Sequence, residues 1–294
     1  MSCPQTAGCE AIFCVPFKAL VGIGEREASR SPIRAPLSTR LPADAAARDG
    51  LICVAIGGAG YLRCMFRRHK PSRGDDGKAL SSAATLRPLL YGDVPVARWG
   101  VDAGEEDPWD RFSAARHAVD LSDMDAAVAI WRDIAASPGL ESRQYLQAWT
   151  FLRQAGNQPP ADQAKRALGV VTEMPMKEWH DVLAAYQDGS CRYLNHSGKV
   201  AVIEDRSIEE VQVAVTQWLD VGRSLAQAIG PWDRPELPVV PPGHMRITVL
   251  TPSGPHFGQG PQQQMMADPT TSTFVGAATA LLQVVVSLTV DPAP

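Results

Sequence analysis

Between Asp107 and Leu168 apolar residues recur at three- and four-residue spacing, with Pro or Gly at the junctions, and this pattern predicts four short amphipathic helices. Asp107-Pro108 offers an N-cap and a first-turn proline to the first, whose Trp109, Phe112, Ala115 and Val119 share a face. The second runs from Asp125 to Ala136, presents Ala127, Ile130, Trp131 and Ile134, and stops at Ser137-Pro138-Gly139. A third, Glu141 to Ala155, carries Tyr145, Ala148, Trp149 and Leu152 before Gly156. The fourth follows Pro159-Pro160 with Ala164, Ala167 and Leu168. Trp131, Trp149 and Trp218 all stand at core-like spacing.

From Gly169 the period changes to 2. Gly169 to Met174 reads as a strand, and Val182 to Gln187, Ser190 to Leu194 and Lys199 to Glu204 read as a three-stranded meander turning at Asp188-Gly189 and at Asn195 to Gly198. Ser207-Ile-Glu-Glu210 has the form of a capping box and opens a long helix striped by Ile208, Val211, Val215, Trp218, Leu219, Leu225 and Ile229. After the Pro-rich connector Pro235 to Pro242 comes a hairpin, Met245 to Thr251 and Pro255 to Gly258. A last helix follows Asp268-Pro269 and is apolar from Phe274 to Leu288; Thr279, Gln283 and Ser287 interrupt it, which favours a buried core helix over a membrane span. The order β-β-β-β-α-β-β-α predicts an α+β domain over residues 169–294, one antiparallel sheet with two long helices on one face. The helical hairpin region, 86–168, packs on it.

Residues 1–85 keep neither period and hold Pro at 4, 16, 32, 36, 42 and 71, so they are expected to form a disordered arm. The change of composition near Ala83 also fits a start assigned too far upstream. Within the arm, Val54 to Gly60 resembles a strand entering a Gly-rich turn, but G-x-G-x-x-G spacing and a following acidic residue in a βαβ unit are missing, so no dinucleotide site is expected. Leu51 to Leu62 is too short to cross a bilayer, which takes roughly 20 residues. Pro16 and Lys18 break the only apolar run that could serve secretion.

Charge divides the chain the same way. Residues 1–90 hold 13 Lys and Arg against 7 Asp and Glu, about +6, while the rest hold 15 against 25, about −10. An acidic body argues against a nucleic-acid partner, since phosphate affinity comes from clustered cations. Five of the six cysteines lie in residues 1–64 without CxxC pairs or matching histidines, so reduced thiols in a cytoplasmic protein are expected, with no metal site and no cofactor.

The stretch from Asp125 to Ala135 resembles the second helix of a tetratricopeptide repeat, and Tyr145 to Gly156 the first helix of the next. That resemblance implies stacked helix pairs and a protein partner. The body from Arg87 to Leu288 is also similar to uncharacterised proteins of high-GC bacteria, through the Asp188-Gly-Ser turn, Leu194-Asn-His-Ser-Gly-Lys199 and Thr251-Pro to Phe257-Gly-Gln-Gly260. No activity attaches to it.

Candidate chemistry is sparse. Cys191, His196 and Ser197 lie close together on one hairpin with Asp188 in the turn before, the residue types of a nucleophile, a base and an orienting acid. The competing identity for Cys191 is a small core residue. Asn195-His196-Ser197 matches a glycosylation sequon by chance in a chain without a secretory signal. His180, His244 and His256 show no metal-ligand spacing. Thr251 to Pro261 is Gly-rich around His256 and reads as a hairpin or as backbone that approaches a ligand. The leading expectation is a non-enzymatic binding or adaptor protein; the alternative is a hydrolase or transferase with a pocket between the 195–198 turn and the 251–261 loop, which requires His196 and His256 to converge.

Overall fold

Alternation in the C-terminal half produces six strands that a seventh, from far upstream, joins in a mixed sheet: β1 (Cys53–Ile56), β2 (Gly169–Pro175), β3 (His180–Tyr186), β4 (Cys191–Leu194), β5 (Val200–Ile203), β6 (His244–Thr251) and β7 (Gly254–Pro261). Their order is β1-β5-β4-β3-β2-β6-β7; β2 to β7 pair antiparallel, and β1 joins β5 in parallel at one edge. The structure, a computed structural model, describes residues 53–56, 87, 89–96 and 106–289 except 178, 197, 198 and 235. The helices are α1 (Trp109–Asp120), α2 (Met124–Ala136), α3 (Ser142–Gln154), α4 (Glu209–Ala228), α5 (Gln262–Ala267) and α6 (Pro269–Thr289). The chain is therefore α+β. Of the arm expected to be disordered, residues 53–56 form the edge strand β1, and the remainder of 1–85 lies outside the described residues.

One face of the sheet carries α4 and α6. Val170, Leu183, Ala185, Cys191, Tyr193, Ile203, Ile247 and Val249 point to it and meet Val211, Val215, Trp218 and Leu225 of α4 and Phe274, Ala278 and Leu281 of α6. Trp218 stacks edge-on against Phe274 at 5.5 Å. Gly222 marks where α4 comes nearest the sheet: a Cβ there would stand 2.5 Å from Val170 Cγ1. Alanine normally strengthens a helix relative to glycine by about 1 kcal/mol. Here we expect the opposite sign, a loss of about 1–3 kcal/mol for Gly222→Ala from overpacking. Urea unfolding checks it, and a stabilised variant would mean that α4 can lift.

The opposite face receives the helical region. Period-3.6 apolar faces of α1, α2 and α3 close on one another around Phe112, Trp131, Ile134 and Phe151, with Trp131 and Phe151 ring centroids 5.2 Å apart. Leu146 of α3, with Leu90 and Tyr91, then joins Leu168, Val171, Ala184, Tyr186 and Leu250 on the sheet. The start of α3 is pinned to the β3–β4 turn by a reciprocal pair: Ser142 N–H donates to Asp188 Oδ2 at 2.7 Å, and Asp188 N–H donates to Ser142 Oγ at 3.0 Å.

Several local expectations differ from the structure; at the first helix Pro108, not Asp107, occupies the N-cap. The fourth helix is absent: residues 161–165 form turns closed by Gln163 and Ala164 N–H groups on Pro160 O, and Leu168 already bonds to Leu250 O of β6. Two prolines before it and a strand immediately after leave no room for an amphipathic helix. Ser207 does not cap α4; its hydroxyl donates to Asp205, and Ile208 occupies the N-cap. α6 is buried along one stripe, Phe274, Val275, Ala278, Leu281 and Val285, while Thr273, Gly276, Ala280 and Gln283 are exposed. Among the described residues it is the one helix long and apolar enough to cross a bilayer.

Candidate functional site

The residues singled out from sequence do not converge. Cys191 opens β4 opposite Ala185 and Ile203, 1% exposed in the helix-side core, and burial pushes its thiol up to about 12, so no thiolate is at hand. His196 follows the other end of β4, where the strand is level with the start of β3, two residues beyond Leu194. The partner of His196 is Asp181 rather than Asp188: Nδ1 lies 2.8 Å from Asp181 Oδ1, the His196 backbone N–H donates to the same oxygen, and Tyr193 OH donates to Oδ2 at 2.6 Å. Ser197 lies outside the described residues.

His256 is fully buried on the helix side of β7, its Nδ1 2.9 Å from Ile229 O and its Nε2 3.2 Å from Ser253 Oγ, and burial lowers its pKa. Three strand spacings and four residues separate it from Asp181 and hence from the His196 contact, roughly 19 Å by sheet geometry. The pocket expected between the 195–198 turn and the 251–261 loop is not formed, because β3, β2 and β6 intervene between β4 and β7. Thr251 to Pro261 is the β6–β7 hairpin itself. Among the described residues no three His, Cys, Asp or Glu side chains gather as a metal site.

A polar cluster that the sequence did not announce lies on the opposite face. Glu173, Arg246 and Gln259 occupy one cross-strand row of β2, β6 and β7. Arg246, 1% exposed, donates through Nη1 to Glu173 Oε1 at 3.2 Å, through Nε to Gln259 Oε1 at 2.9 Å and through Nη2 to Pro238 O, with its guanidinium 5.0 Å from the Phe257 ring. Tyr91 OH donates to Glu173 at 2.7 Å, and Arg87 stacks on the Tyr91 ring at 4.0 Å. The chain around Tyr91 is held by side chains: Thr150 donates to Gly92 O, the Gln147 amide bonds both Val94 N–H and C=O, and Tyr186 OH donates to Leu90 O. The cluster ties Arg87 and residues 89–96 to α3 and the sheet.

Beside it a cavity of about 20 Å³, enough for one water, is lined by Tyr91, Asp93, Thr150, Arg153 and Thr251. Burial pushes the Asp93 carboxyl up to about 6, against the opposing pull of Arg87 at 3.8 Å, and burial brings Arg153 down to about 10. In the unfolded chain an aspartate releases its proton near ~4. The folded state therefore binds more protons between about pH 4 and about 6, and stability falls as pH rises through that window. We expect Asp93→Asn to flatten this slope in urea unfolding across pH 4–7. A slope equal to that of the unaltered chain would assign it to another group.

The large concavity is elsewhere. A cleft of about 800 Å³ lies between the C-terminal end of α2, the outer face of α3 and the 157–168 connection, with Pro252 at its margin. Tyr145 and Trp149, one turn apart on α3, form its floor with Leu152. Tyr145 OH donates to Ser137 O at 2.5 Å and accepts from Leu140 N–H, which fixes the Pro138-Gly139 wall. Trp149, expected in the core beside Trp131 and Trp218, is half-buried here, and the exposed side-chain amides of Gln158 and Gln163 line the same cleft. The sequence signal for this surface was the pair Tyr145 and Trp149, whose spacing serves a buried stripe and an aromatic floor equally.

Chemically the cleft offers aromatic area, three prolines and exposed amide donors and acceptors, with no nucleophile beside a base. Compared with protein-family models, curated proteins and solved structures, the chain shows no significant match to any.

Proposed function

We propose that this chain is a non-enzymatic binding or adaptor protein that holds an extended segment of a protein partner in the cleft between α2, α3 and the 157–168 connection. The observation that carries the reading is the cleft itself: about 800 Å³, floored by Tyr145 and Trp149 and edged by the exposed amides of Gln158 and Gln163. Extended peptides bring a polar group at every residue, and grooves that bind them combine aromatic platforms with such donors and acceptors. The resemblance of Asp125 to Gly156 to tetratricopeptide units points the same way. Against an enzyme stands the separation of Cys191, His196 and His256.

In this reading the partner is protein, not nucleic acid, because the body is acidic; α6 serves as a packing helix of the sheet layer rather than a membrane span, because Phe274, Ala278 and Leu281 pack on α4 and the sheet; and the cytoplasm is the compartment, because the six cysteines are spaced without the pairing of a disulfide framework.

Selection of phage-displayed random peptides on the folded chain tests it. Enriched peptides are expected to lose binding at least about tenfold on Trp149→Ala, the effect of truncating an aromatic anchor. Gln163→Ala, which alters only an exposed side chain, is expected to weaken them less. No enrichment, or peptides indifferent to both variants, would remove the proposal.

A further inference from the structure

Charge in the cleft runs against the charge of the body. Beyond residue 90 the chain carries 25 Asp and Glu against 15 Lys and Arg, yet the cleft is lined by two guanidiniums, Arg132 on α2 and Arg166 on the 157–168 connection, and by no carboxylate. Both side chains are exposed and each keeps donors without a protein acceptor among the described residues: Arg132 gives one to Asn157 Oδ1, and Arg166 gives Nε to Gln187 Oε1 at 3.1 Å. Asp133 pairs with Arg111 at 2.8 Å and Glu141 with Arg143 at 2.7 Å, and among the described residues no ion pair joins a carboxylate to Arg132 or Arg166.

We infer that the segment held in this cleft is an acidic peptide, with its carboxylates taken by Arg132 and Arg166 on the two walls and its backbone laid over Trp149; the inference rests on the peptide-binding reading above. Guanidinium forks match carboxylates in geometry as well as charge, and a site with cations on both walls imposes spacing on the acidic residues of its occupant. The net negative body repels nucleic acid and any broadly anionic surface, so a short acidic run that fits the cleft is selected over a polyanion.

The test uses three pools of synthetic twelve-residue peptides, acidic, basic and uncharged, each randomised at the other positions and offered to the whole chain in affinity selection with mass-spectrometric readout. The acidic pool is expected to be retained, with retention falling about tenfold or more on Arg132→Glu/Arg166→Glu, which then retains the basic pool; like charges set face to face are strongly unfavourable. Circular dichroism melting of the double variant should match the unaltered chain, because both arginines are exposed. Arg132→Gln/Arg166→Gln, which removes charge without reversing it, should give an intermediate loss. Retention of the uncharged or basic pool by the unaltered chain, sensitive to Trp149→Ala, would overturn the acidic assignment and leave the cleft as a peptide site. Displacement of the acidic pool by a single-stranded oligonucleotide at equal concentration would overturn it as well. No retention of any pool would overturn both.

Discussion

Replacing Arg246 by methionine is expected to lower the stability of the fold by about 3–5 kcal/mol, the cost of leaving a buried charge without its partner. Arg246 and Glu173 are both buried, and the guanidinium is the link between β2, β6 and β7 on the face that receives residues 87–96. Methionine fills much of the volume, so the loss reports the charge rather than a cavity. With the cation gone, Glu173 keeps the Tyr91 hydroxyl and the more distant Arg87 at 3.7 Å. Adding Glu173→Gln to Arg246→Met should recover a large part of the loss, since an amide can still accept from Tyr91 and carries no charge. Urea unfolding of the two single variants and the double variant measures the coupling. A loss under about 1 kcal/mol for Arg246→Met would mean that water reaches Glu173.

A second large effect is expected at Trp218. Its side chain is fully buried where α4, α6 and the sheet meet, and Trp218→Ala is expected to cost about 3–5 kcal/mol through lost burial and the cavity left behind. The indole N–H has no hydrogen-bond partner among the described residues, so the residue contributes volume and edge-on contact with Phe274 rather than a polar anchor. Trp218→Phe should therefore lose much less than Trp218→Ala, because the unpaired donor goes with the ring it removes. Equal losses would assign the indole N–H a partner. Calorimetric or urea melts resolve the difference.

How far the fold could be read from the chain depended on the range of the physics involved. Local signals were sufficient for the meander: Asp188-Gly189 supplies the positive-φ residue the turn needs, Gly189 at φ 87°, and alternation from Gly169 onward gives each strand an apolar face. They were also sufficient for α1 to α3 and α4, whose 3.6-residue stripes are buried. Non-local terms were not legible. Glu173 and Arg246 lie 73 positions apart, and each reads in isolation as an exposed residue of an alternating strand. The parallel pairing of β1 with β5 crosses more than 140 residues and leaves no local trace beyond the apolar run Cys53 to Ile56.

The candidate site was less legible still. Periodicity treats Trp131 and Trp149 alike, but Trp131 is enclosed by α1 and α3, whereas Trp149 faces the 157–168 connection, whose turns replaced the expected fourth helix. A helix in that place would have covered Trp149 with an apolar stripe; turns leave it open. The misplaced element and the missed cleft are thus one difference. Cys191, His196 and His256 were grouped by nearness in sequence or by composition; sheet register puts Cys191 and His256 in one cross-strand row with β3, β2 and β6 between them, and His196 beyond the far end of β4.

Hydrogen exchange read by mass spectrometry, with and without a peptide taken from the library selection, shows directly whether the cleft holds a peptide. The expected result is slowed exchange confined to the C-terminal end of α2, to α3 and to residues 157–168, with α4, α6 and the paired strands β6 and β7 unchanged. Protection on α4 or α6, or around His196 or His256, with none in the cleft would contradict the account and move the functional surface to the other side of the sheet.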